Sequence, residues 1–124
     1  MAAIEKILVV DDSSTVHKMI KKFLEPEGYQ FCGFAKNGEE ALELFREHRP
    51  HLTFMDITMP VMDGIATLQE LKKEDPSSPV IMLSAMGDDE LVQQANDLGA
   101  SIFLQKPFNK EKLLDAINQI EGGQ

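Results

Sequence analysis

The chain has 124 residues, enough for one compact domain and too few for a second, with 43% hydrophobic and 27% charged residues as in an ordinary soluble globular protein. Its 21 acidic and 12 basic residues give a net charge of −9, which opposes a phosphate backbone and argues against direct nucleic-acid binding. The apolar run near the N-terminus is too short for a signal peptide or a membrane span, and the single Cys32 can form neither an internal disulfide nor a cysteine zinc site, so a cytoplasmic protein with Cys32 as a small buried apolar residue is expected.

Ile7-Leu8-Val9-Val10 is a continuous, β-branched-rich run, the pattern of a strand buried on both faces. Asp11-Asp12-Ser13-Ser14 breaks it. Ser13 or Ser14 is placed to cap a helix whose apolar positions Val16, Met19, Ile20, Phe23 and Leu24 recur at helical spacing, and Pro26 and Gly28 end it. Residues 29–35 read as the second strand. Asn37-Gly38 marks a turn, after which Glu39 and Glu40 open a helix with Ala41, Leu42, Leu44 and Phe45 that Pro50 stops. The third strand, residues 52–55, ends at Asp56. A loop with Pro60 and Gly64 leads to a helix through Ile65, Leu68 and Leu71. Asp75-Pro76 and Pro79 bracket another loop, and residues 80–83 form the fourth strand, ending at Ser84. A helix over about residues 88–98 follows, with Gly99 as its C-terminal cap. Residues 101–104 are the fifth strand; Lys106-Pro107 follows, and Asn109 caps a last helix with Leu113, Leu114, Ile117 and Ile120. The tail from Glu121 onward has the composition of a flexible end, so the ordered core is expected over about residues 5–121.

Strand and helix thus alternate five times, which implies an α/β fold with a parallel sheet covered on both faces and right-handed crossovers. In such a sheet, sites form beyond the carboxyl ends of the strands. That edge receives Asp11 and Asp12 after the first strand, Asp56 after the third, Ser84 after the fourth and Lys106 after the fifth. Singly, each has a plain structural reading: a helix N-terminus, a turn opener, a loop hydroxyl, a surface lysine. Together on one edge they are better explained as one site. Three neighbouring carboxylates repel one another and need a cation, of which Lys106 offers one charge. Oxygen ligands with no imidazole or thiolate beside them suit Mg²⁺, which keeps waters and usually serves a phosphate; one carboxylate can then be a nucleophile toward a phosphoryl group. His17, His48 and His51 fall on helix or loop positions away from the strand ends and read as surface or partly packed, none placed to ligate a metal.

At these residues the sequence resembles the receiver domains of two-component response regulators, and within them the chemotaxis branch. The resemblance covers about residues 6–120. It rests on Ile7-Leu8-Val9-Val10-Asp11-Asp12, Met55-Asp56-Ile57-Thr58-Met59-Pro60 with Met62-Asp63-Gly64, Leu83-Ser84-Ala85-Met86-Gly87, Gly99-Ala100 and Lys106-Pro107-Phe108, in this order and spacing. It implies a flavodoxin-like (βα)5 fold whose five-stranded parallel sheet has the order 2-1-3-4-5, and a single receiver domain over residues 1–124.

The resemblance also implies roles. Asp56 would accept a phosphoryl group from a histidine kinase. Asp12, Asp56 and the backbone carbonyl of Thr58 would ligate Mg²⁺, with Asp11 acting mainly through a metal-bound water. Ser84 and Lys106 would bind the phosphoryl group, and the Lys106–Pro107 bond would be cis. Phe103 stands at the switch-aromatic position; following Ser84 inward, it would reshape the face of the fourth helix, fifth strand and fifth helix for a downstream target such as a flagellar motor switch protein. The sequence departs from the family at Phe103, where tyrosine is frequent, and at Ser84, where threonine is common. Thr58 and Met86 occupy positions that tune phosphoryl lifetime. Met86 cannot orient a water, so slow self-dephosphorylation and a separate phosphatase are expected. The expected protein is a stand-alone monomer that catalyses only its own phosphorylation and dephosphorylation. Two rival readings are a receiver fragment of a larger regulator with a separate output domain, and a metal-dependent phosphatase. Short connections, leaving no deep pocket or lid, disfavour the second.

Overall fold

A computed structural model describes residues 4–100 and 102–122. The first apolar run is β1 (Lys6–Val10), buried from Ile7 onward. Then come α1 (Ser14–Leu24), β2 (Gln30–Ala35), α2 (Gly38–His48), β3 (Leu52–Asp56), α3 (Gly64–Glu74), β4 (Val80–Ser84), α4 (Asp89–Asp97), β5 (Ile102–Gln105) and α5 (Lys110–Gly122). A 3₁₀ turn, Glu25–Glu27, closes α1, and Gly28 leaves it at a φ of 96°. All strand pairings are parallel, in the order β2-β1-β3-β4-β5.

Successive side chains along the strands point to opposite faces and build two cores. Ile7, Val9, Leu52, Phe54, Ile81, Leu83 and Leu104 pack with Ile20 and Leu24 of α1 and with Leu113 and Ile117 of α5. Leu8, Val10, Met55, Val80 and Met82 pack with Ala41, Leu42 and Phe45 of α2, Leu68 and Leu71 of α3 and Ala95 of α4. Each fully buried side chain of this size contributes about 1.5–3 kcal/mol relative to exposure, so neither sheet face can be left uncovered. Among the described residues no helix is long and apolar enough to cross a membrane.

Helices begin where strands end, which places their N-termini along the carboxyl edge of the sheet. Ser13, not Ser14, caps α1 by accepting from Val16 N–H. Asn37 caps α2 and Asp63 caps α3 in the same way, and Asn109 accepts from Lys112 N–H at the start of α5.

Several expectations need correction. Gly64 is not a loop residue but the buried first residue of α3, and β2 begins at Gln30 rather than Tyr29. Glu121 and Gly122 belong to α5 rather than to a tail, because the helix simply continues. The remaining tail residues, 123 and 124, and Ser101 of the expected fifth strand lie outside the described residues. Cys32 is half-buried instead of buried, since it sits on the edge strand where the register skips from Phe31 to Gly33; partial burial still raises its thiol pKa. His17, expected at the surface or partly packed, is buried.

Candidate metal and phosphoryl site at the sheet edge

Register sets the site. Val10 pairs with Met55, Asp56 with Leu83, and Ser84 with Gln105. Asp11, Asp56, Ser84 and Lys106 therefore emerge side by side at the carboxyl edge. Backbone bonds fix that edge: Asp11 N–H donates to Ala35 O at 3.0 Å, Ile57 N–H to Leu83 O at 3.0 Å, and Lys106 N–H to Ser84 O at 2.7 Å. The Lys106–Pro107 peptide is cis.

Asp11, Asp12 and Asp56 each offer a carboxylate oxygen, and these lie within 4.8 Å of one another. Asp11 is fully buried and Asp56 nearly so, whereas Asp12 is exposed. Lys106 Nζ stands 2.7 Å from Asp11 Oδ2 and 3.3 Å from Asp56 Oδ1. Asp11 Oδ2 is thus buried against the Lys106 ammonium, which Asp56 shares. Burial, and then the charge of Asp11, push the Asp56 carboxyl up to about 6 against the pull of Lys106, with Asp12 adding to the rise. Burial pulls the Lys106 ammonium down, but its contacts with Asp11 and Asp56 outweigh that and its pKa ends raised.

One ammonium does not balance three carboxylates. The deficit and an all-oxygen donor set whose atoms lie within 4.8 Å of one another fit a hard divalent cation such as Mg²⁺.

The surroundings are rigid. A Cβ on Gly64 would lie 2.0 Å from the carbonyl oxygen of Asp56, so only glycine lets α3 start this close to β3. Between them, Met62 N–H donates back to Pro60 O at 2.7 Å around Val61, whose φ is 68°. This is a strained three-residue turn with a β-branched residue at its centre. After β4, Asp88 accepts from Ala85 N–H at 2.8 Å and pins the loop that follows Ser84.

Of the other expected site residues, Ser84 is buried at the end of β4, Thr58 is exposed just past Asp56, and Met86 is 87% exposed. Phe103 lies half-buried against the core shared with Leu91, Val92 and Leu98. His48 and His51 are partly buried away from the edge, where His51 Nδ1 accepts from the backbone of Glu5 and Lys6. His17 is the residue that sequence reasoning missed. Its Nε2 lies 2.6 Å from the backbone carbonyl oxygen of Asp11. The signal was there, since His17, Ile20 and Leu24 fall at the spacing of one helix face.

The sheet order and the acidic carboxyl edge define an α/β domain with a candidate cation site, and the comparison with known proteins gives the class its name. The family model for the response regulator receiver domain matches residues 7–118, and the chain belongs to that family, whose members are signalling switches rather than metabolic enzymes. It is similar to the chemotaxis protein CheY of Bacillus subtilis (strain 168), at 45% identity over 114 residues, 92% of this chain and 95% of that protein. A CheX–CheY–BeF3–Mg²⁺ complex from Borrelia burgdorferi matches with a TM-score of 0.89 at 34% identity, over 94% of this chain and 89% of that one. NtrX from Brucella abortus matches with a TM-score of 0.88 at 33% identity over 97% of this chain, which spans only 27% of the NtrX chain.

Proposed function

We propose that the chain is a phosphorylation-driven switch of a two-component system, in which Asp56 takes a phosphoryl group from a histidine kinase in the presence of Mg²⁺. The observation that carries this reading is the charge deficit at the sheet edge, with Asp56 buried beside Lys106. With a pKa of about 6, Asp56 is still mostly ionised at neutral pH, as a nucleophile must be. Asp12, Asp56 and the backbone carbonyl of Thr58 would hold the ion, and Asp11 would reach it through a water. Bound there, Mg²⁺ would offset the repulsion among the carboxylates and the charge of the phosphoryl oxygens.

The chain's own residues do the rest. An oxygen of Asp56 attacks phosphorus; a P–O bond forms, the P–N bond to the kinase imidazole breaks, and the imidazole leaves with the electron pair. Lys106 turns its ammonium to the new phosphoryl oxygens, and Ser84 Oγ–H donates to one of them. Phe103 follows Ser84, and the α4-β5-α5 face changes shape for a downstream protein. The likeness to chemotaxis proteins supports a target such as a flagellar motor switch protein. The apolar, exposed Met86 supports slow self-dephosphorylation and a separate phosphatase. We read the chain as a single cytoplasmic domain over residues 1–124, acting as a monomer without direct contact with nucleic acid or membrane and catalysing only its own phosphorylation and dephosphorylation. A second reading, a receiver within a longer regulator, is supported by the match to NtrX, of which this chain covers a fraction.

Incubation with Mg²⁺ and acetyl phosphate should add one phosphoryl group to the intact mass. The gain should vanish with chelator and in Asp56→Asn; a gain that persists in either control overturns the assignment. Many turnovers per chain would instead favour a phosphatase.

A further inference from the structure

His17 stands on α1 at the face that carries Ile20 and Leu24 and is buried with them. Its ring lies 5.4 Å from that of Phe34 on β2, tilted by 42°. Its Nε2, 2.6 Å from the Asp11 carbonyl oxygen, must carry the proton, because a carbonyl can only accept. That carbonyl belongs to the peptide joining Asp11 to Asp12. Asp11 is also held at its amide by Ala35 O at 3.0 Å and at Oδ1 by Ser13 N–H at 2.9 Å. Asp12, by contrast, is exposed, and where its carboxylate points depends on the plane of the peptide before it. His17 fixes that plane.

We propose that His17 is a positioning residue for divalent-cation binding: its imidazole N–H locks the Asp11–Asp12 peptide and so aims the Asp12 carboxylate at the point it shares with Asp56. This rests on reading the three carboxylates as a cation site. Without the donor, the buried carbonyl loses the imidazole that holds it and its peptide can reorient, so the ion itself must order Asp12. Affinity for the ion then falls. Once the ion is bound the geometry is restored, so the maximal rate of phosphoryl uptake is retained.

His17→Leu fills the space without a donor, whereas His17→Gln carries an amide N–H at a similar reach. The Mg²⁺ dependence of phosphoryl uptake from acetyl phosphate separates the two. In His17→Leu the half-saturating Mg²⁺ concentration should rise about tenfold while the maximal rate stays within about twofold, and His17→Gln should restore the wild-type dependence. A residue that merely fills the core would not give this split or this rescue. Nitrogen NMR of the wild-type imidazole, which needs no variant to fold, should show Nε2 protonated and its signal shifting as Mg²⁺ is added. An unchanged Mg²⁺ dependence in His17→Leu, a His17→Gln as weak as His17→Leu, or an unprotonated Nε2 overturns the inference while leaving the site reading intact. A wild-type protein with no Mg²⁺ dependence at all overturns the site reading, and this inference with it.

Discussion

Two of the places where a cation meets carboxylate behave in opposite ways. Between α2 and α3, Arg46 Nε–H donates to Glu74 Oε2 at 2.8 Å, well out toward solvent. The bond holds the Glu74 carboxyl below its usual value and the Arg46 guanidinium above its own, as a matched pair should. At the sheet edge one ammonium faces three carboxylates, and Asp56 moves the other way because burial and Asp11 outweigh Lys106. A matched pair in water adds little to folding. A buried set short of positive charge opposes folding and retains affinity for whatever completes it. The difference teaches where function sits: at the place the fold leaves electrostatically unfinished.

The contrast assumes that the edge cannot relax, and Gly64 tests this with the largest expected effect. An alanine Cβ there would meet backbone at 2.0 and 2.8 Å, so Gly64→Ala should cost about 3 kcal/mol in urea unfolding. A loss below about 1 kcal/mol would show that the edge yields.

Asp56 comes next. Its carboxyl titrates near 6 in the fold against the usual 3.8, so between those values the folded state binds the proton that the unfolded state has released. Stability of the metal-free protein should therefore rise as pH falls through about 6, and the gain should be complete only below 3.8. A shift of that size corresponds to at most about 3 kcal/mol at neutral pH. In chelator at pH 7, Asp56→Asn should be more stable than wild type by up to that amount, with the advantage fading near pH 4. Denaturant titrations across this range would contradict the charge deficit if the variant were no more stable at pH 7.

Val61 sharpens the picture of the loop. Relieving a β-branched residue at φ 68° by Val61→Asn should stabilise the protein by about 1 kcal/mol; a loss of stability in the same unfolding assay would show that Val61 contributes packing instead of strain. The smallest effect is expected at the matched pair. Glu74→Gln should leave the urea midpoint within experimental scatter, and a change as large as that of Asp56→Asn would erase the contrast between the two places.

Much of this was legible in the residues themselves. Short continuous apolar runs marked the strands, helical spacing marked α1 to α5, and placing Asp11, Asp12, Asp56, Ser84 and Lys106 at strand ends needed only the rule that strands deliver residues to one edge. The strand order was not in the pattern, which cannot say which strand lies beside which; it came from the resemblance. His17 was misread because a histidine's polarity hides its place on a buried helix face. Gly64 reads as a loop residue because glycine usually breaks helices, whereas in the fold it starts one against a backbone carbonyl. The unequal burial of Asp11 and Asp12 was invisible for a different reason: adjacent residues at a strand end face opposite ways, and only the packing of α1 and β2 shows which is enclosed.

The central claim is the missing positive charge at that edge, and thermal unfolding of the whole chain in rising Mg²⁺, with Asp12→Asn alongside, tests it most directly. A cation bound only by the folded state raises the midpoint progressively once its concentration exceeds the dissociation constant. The wild-type midpoint should climb with Mg²⁺ and that of Asp12→Asn should stay nearly flat. A wild-type midpoint indifferent to Mg²⁺, or an equal climb in the variant, would contradict the account.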